Sequence, residues 1–131
     1  MSTLDRDTYD GLTQDENIAE FIKELENDAV SMSQIVFLSR DGFHMQPDEA
    51  TDFIHKSVFA LVEAGAVPVR FGGPSHDWVR QHQYGTSPEN IANAVVREWQ
   101  GYGDLRFDEV KVYGEAVWFA RPRTNPTYIR E

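Results

Sequence analysis

The chain reads as an α+β domain, with three or four helices packed on a small antiparallel sheet of two or three strands. Three observations predict this. A broad apolar helix pattern starts at Pro47, ends at Gly65 and runs into the β-branched stretch 66–71. Capping signals stand at Thr13, Ser31 and Ser87. A late apolar stretch, 107–120, surrounds Tyr113-Gly114-Glu115.

The first helix is predicted from about Gln14 to Asn27. Thr13 and Glu16 form a capping-box pair, and Ile18, Ala19, Phe21, Ile22 and Leu25 follow at helical spacing. Ser31-Met32-Ser33-Gln34 repeats the box before Ile35-Val36-Phe37-Leu38. That run is short enough for a buried strand or a helix, and the cap favours the helix. His44 and Met45 link it to the long helix, where Pro47 suits the first position and Asp48, Glu49 and Asp52 face the positive end of the helix dipole. Ala50, Phe53, Ile54, Ser57, Leu61 and Ala64 mark its inner face, and Val58, Phe59, Ala60 and Val62 widen that face beyond one stripe. Gly65 is expected in a left-handed conformation at the helix end. In the strand 66–71, Pro68 has no N–H to donate, which predicts an edge position or a bulge.

Ser87 or Thr86 caps a further helix with Pro88 at its first turn, and Ile91, Ala92, Val95, Val96 and Trp99 form its apolar face. Residues 107–120 fit a hairpin or one long bent strand. The expected organisation is a mobile segment over 1–12, one globular domain over 13–122 and an irregular tail over 123–131. At 131 residues and 40% hydrophobic content, one core can bury roughly two-thirds of the surface of the unfolded chain. The turn Leu61-Val62-Glu63-Ala64-Gly65-Ala66-Val67, a helix ending at glycine and entering a strand, resembles the corresponding turn of winged-helix domains. That resemblance implies a regulatory domain. The long helix, however, carries Lys56 and His55 against four acids, unlike a basic recognition helix.

Charge is distributed unevenly. The net charge is −10, and residues 1–28 hold nine acids against Arg6 and Lys23, whereas residues 65–131 are neutral. Such a surface repels phosphate backbones and anionic lipid and attracts basic partners, so no nucleic acid is expected. Glu16, Glu20 and Glu24 recur every four residues on the first helix, either as a solvated face or as a docking stripe for a basic protein. There is no cysteine, so disulfides and thiolate sites are absent and a reducing cytoplasm is the expected location. No stretch approaches the roughly eighteen apolar residues that span a bilayer.

The stretch 72–86 is the second candidate region. His76, Asp77 and His82 are the only cluster of metal-ligand type, but H-D-x4-H matches no established ligand spacing, and surface or capping histidines are expected. Trp78 with Arg80 and Tyr84 has the composition of an interface hot spot, unless Trp78 folds the loop onto the core. Trp99 and Trp118 fall in phase with apolar faces and are expected in the core, and His55 at the surface or its boundary. Gly72-Gly73-Pro74 is followed by no lysine, which excludes a phosphate loop, and no nucleophile elbow, zinc-protease or dinucleotide fingerprint occurs. No cofactor is implied. The leading reading is an acidic protein-binding module that docks onto or neutralises a basic partner, similar in size and charge to inhibitors of the immunity-protein type. The alternatives are a small ligand- or metal-binding domain or enzyme built on 72–86, and a winged-helix-like regulatory domain.

Overall fold

The computed structural model describes residues 3–72, 78–101, 117–122 and 129–130. Among them are four α-helices, α1 (Gln14–Glu24), α2 (Met32–Phe37), α3 (Pro47–Glu63) and α4 (Pro88–Gln100). Five strands accompany them: β1 (Val30–Ser31), β2 (Val67–Phe71), β3 (Trp78–Arg80), β4 (Trp118–Ala120) and β5 (Ile129–Arg130). The class is α+β. The sheet differs from expectation: it has five strands in the order β1-β4-β2-β3-β5, and it is mixed, because β3 pairs with β5 in parallel. Two-residue strands such as β1 and β5 carry too little apolar pattern to stand out in a sequence.

The capping signals form as real hydrogen bonds. Thr13 Oγ1 accepts from the Glu16 N–H, and Glu16 Oε1 from the Thr13 N–H. The same reciprocal pair joins Ser31 and Gln34 and opens α2, so the run after Ser31 is a helix, continued by a π-helical turn over Leu38–Gly42. Ser87, rather than Thr86, caps α4 through the Asn90 N–H. Helix α1 ends at Glu24, three residues short of the predicted Asn27. There the bonds change to the tighter spacing, from Leu25 N–H to Ile22 O, Glu26 to Lys23 and Asn27 to Glu24.

Helix α3 is the core element. Ile54, Val58 and Leu61 have no solvent exposure, and α1, α2 and α4 all pack against it. Ser57, buried on the same face, donates its hydroxyl to Phe53 O at 2.7 Å, which satisfies a polar group in an apolar setting. The helix closes in a Schellman motif. Gly65 N–H donates to Val62 O, Ala66 N–H donates to Leu61 O, and Gly65 takes φ +103°. Beyond that turn β2 enters the mixed sheet between β4 and β3.

Pro68 therefore lies in an internal strand and not at the edge. In an antiparallel strand the N–H and C=O of one residue point to the same neighbour. Pro68 O accepts from the Gln81 N–H, so its missing donor faces β3 just beyond the end of that strand at Arg80. The pleat divides the apolar residues of the sheet between two clusters. Phe119 joins the main core, while Val69 and Ala120 form a second cluster with Trp78 and Trp118 packed against it. Of the two tryptophans expected inside, Trp99 is buried and Trp118 is half-buried. Most of the predicted hairpin (107–120), and residues 123–128 and 131 of the predicted tail, lie outside the described residues. No helix among the described residues is long and apolar enough to cross a membrane.

The enclosure of α3 makes a direct prediction. Leu61→Asp puts an unpaired charge at a fully buried position, at a cost of several kcal/mol, comparable with the whole stability of a small domain. Thermal unfolding followed by circular dichroism is expected to lose its cooperative transition. A normal melt would mean that α3 is not the central packing element.

Candidate functional site

The best-defined surface feature is built around Asp7. Its carboxylate is buried at 4% exposure, with Oδ1 accepting from the Tyr9 and Asp10 N–H groups and Oδ2 from the Leu12 N–H and Asn17 Nδ2. Asn17, on α1, passes the connection on by donating to Thr13 O at 3.1 Å. Asp7 N–H also donates to Leu12 O, and Gly11 at φ +69° turns the loop back on itself. Desolvation alone would raise the Asp7 pKa, but hydrogen bonds from Asp10, Asn17, Leu12 and Tyr9 outweigh it and bring it from 3.8 to about 2.

The segment expected to be mobile is in contact with the domain at several points. Leu4 N–H donates to Phe43 O and Thr8 N–H to Gly42 O, while Thr8 Oγ1 donates to Asp41 O. A Cβ at Gly42 would lie 2.6 Å from Leu38 Cδ1, so a larger residue there would displace the end of that side chain.

The loop sets Tyr9 beside Phe37 at the end of α2, with ring centroids 5.8 Å apart and planes at 20°. Both rings are large and exposed, Tyr9 at 57% and Phe37 at 49%. They form one wall of an open groove of about 510 Å³ whose floor includes Leu12, Phe21 and Leu38. Asp10, Glu20 and Glu24 also line it, and no lysine or arginine among the described residues does. The chain's own Arg40 sits 6.0 Å from the Phe37 centroid and pairs with Asp41 at 3.2 Å.

The glutamate stripe divides by role. All three side chains are exposed. Glu16 serves the α1 cap and lies 3.4 Å from Arg6, and the Thr13 N–H holds its carboxyl below the ordinary range. Glu20 and Glu24 instead flank the groove, where Glu24 accepts from Gln34 Nε2 at 3.3 Å.

The 72–86 stretch is not one loop, because it contains β3 and a 3-10 turn over His82–Tyr84. Trp78 is half-buried on β3, in edge contact with Phe71 at 5.0 Å and tilted against Trp118 at 5.3 Å. Arg80 is half-buried on the same strand. Tyr84, expected beside them on an exposed loop, is buried at 4%. Its hydroxyl accepts from Arg70 at 2.7 Å and donates to Glu98 Oε2 at 2.7 Å. Burial, and then the bond to Glu98, raise its pKa above the usual tyrosine range. His82 is exposed on the turn, and His76 and Asp77 lie outside the described residues. A smaller cavity of about 180 Å³ has Pro68, Arg80, His82 and Gly85 among its walls. Among the described residues no group of three His, Cys, Asp or Glu side chains could hold a metal ion. His55 is half-buried and bonds Asn93 Oδ1 at 2.9 Å.

Sequence reasoning missed Tyr9, Asp10 and Phe37. The signal for Phe37 was available in the helical phase. At about 100° per residue, Phe37 projects away from the face shared by Met32, Ile35 and Val36, which are buried.

Asp7 gives the second prediction. Asp7→Asn keeps the size but loses acceptor capacity, and should cost roughly 1–3 kcal/mol near neutral pH in a denaturant titration. Because the folded pKa lies below the unfolded one, the carboxylate's contribution is complete above about 3.8 and is lost as pH falls through about 2. The gap between wild type and variant should therefore narrow across that interval, and a gap independent of pH would contradict the network. The chain matches no protein-family model, and neither a curated protein nor a solved structure is significantly similar to it.

Proposed function

We propose that the chain is an acidic docking module that binds, and in binding neutralises, a basic partner protein. The observation that carries this reading is the exposed face of α1. Glu20 and Glu24 have no basic partner among the described residues, in a region where nine acids face two bases. Three interactions account for part of that charge: Asp7 within its loop, Glu16 with Arg6, and Asp15 with Lys56 at 2.6 Å. What remains is a net negative field around α1. Such a field raises association rates with a cationic surface and weakens with salt, because screening acts over about 8 Å at physiological ionic strength.

A second reading has one supporting observation, the small cavity with Arg80 and His82 among its walls. A cavity of that size can take a small ligand. A thermal-shift screen of small carboxylates and phosphates addresses it: a rise in melting temperature supports the reading, and its absence across the screen removes it.

The docking reading is tested by capturing proteins from the native host on immobilised protein, with washes at low and high salt. A basic protein retained at low salt and released at high salt is expected. Charge reversal of Glu20 and Glu24 to lysine, which leaves the Glu16 cap intact, should slow its association by about tenfold at low salt, with the melting transition preserved. An unchanged association rate, or a retained set with no basic protein, would overturn the proposal.

A further inference from the structure

Resting on that reading, we infer that the groove between α1 and α2 holds a basic segment of the partner that inserts one large apolar side chain against Tyr9 and Phe37. The argument begins with exposed apolar surface. Two aromatic rings, each about half exposed and stacked side by side, form a contiguous patch where isolated exposed hydrophobes are the norm. Rigid aromatic walls over an apolar floor of Leu12, Phe21 and Leu38 suit one inserted side chain, because aromatics give large contact area at low entropic cost.

Charge then chooses the occupant. Asp10, Glu20 and Glu24 line the same groove, with no lysine or arginine among the described residues of its walls. A second copy of this chain would bring the same acids against them, and an anionic membrane would add charge of the same sign, so both are disfavoured. A segment with lysine or arginine on either side of an apolar residue meets the acids with its cations and the rings with its anchor. The chain itself places a guanidinium near this ring, since Arg40 lies 6.0 Å from the Phe37 centroid. A partner's arginine can use the exposed Tyr9 ring in the same way. The Asp7 hydrogen bonds hold Tyr9 in place before the partner arrives, so little ordering is left for binding to pay for.

The test uses a displayed library of random short peptides selected on the full chain. Enrichment of lysine and arginine flanking a large apolar residue is expected. Selected peptides should bind Tyr9→Ala/Phe37→Ala about tenfold more weakly, and Glu20→Lys/Glu24→Lys at least as poorly. Both pairs are exposed, and circular dichroism verifies that the variants fold. Basic peptides that carry no apolar anchor and bind the aromatic double variant like wild type would overturn this inference, while the docking reading would stand. Selection without any enrichment of basic residues would overturn both.

Discussion

Ile54, Val58 and Leu61 on α3 lose all contact with water because neighbours close on that helix from several sides. Three other helices pack on it, and Val117 and Phe119 join the same core. A helix with so wide an apolar surface cannot be covered by one partner. Its two ends then direct the chain. Pro47 in the first turn and the Glu49 carboxylate, which accepts from the Gln46 N–H at 3.4 Å, start it, and the Schellman turn at Gly65 sends the backbone into β2. The sheet, in turn, has a place for Pro68 only where β3 has already ended.

Asp7 does for the surface what α3 does for the core. One carboxylate gathers three backbone N–H groups and the Asn17 amide, so a short polar loop adopts a single shape and is joined to α1. That shape places an exposed tyrosine beside an exposed phenylalanine, next to the acids of the adjoining helix. Local hydrogen bonding thus positions an apolar surface that core packing alone would not have built. On the proposed docking reading the acids would act on arrival and the rings on residence.

Helices α1 and α4 were legible in the sequence because each begins with a side chain that bonds its own first turn and then repeats apolar residues at helical spacing. Helix α3 was legible because Pro47 and Gly65 bound a wide apolar pattern, whereas only its cap favoured a helix over a strand for α2. The full sheet was not, because β1 and β5 are two residues long and pairing between distant short strands leaves no periodic trace. The acidic stripe was readable as spacing, but the division of labour within it was not. Glu16 turns to the cap while Glu20 and Glu24 face the groove, and that depends on three-dimensional neighbours. Tyr9 escaped because its position depends on a buried aspartate in a segment with no apolar pattern. Tyr84 was misplaced for the converse reason: it stands among polar residues in sequence, yet Arg70 and Glu98 meet its hydroxyl from two other elements.

The central claim is that a basic protein docks on the Tyr9–Phe37 groove. The most direct measurement places a photoreactive phenylalanine analogue at position 37 in the native host, with position 71 on the sheet as the comparison, since Phe71 is also exposed. Irradiation should join position 37 to a basic protein, and the product should decline when Glu20 and Glu24 are reversed to lysine. Cross-links from position 71 but not from 37, or a product at 37 indifferent to those charges, would contradict the account.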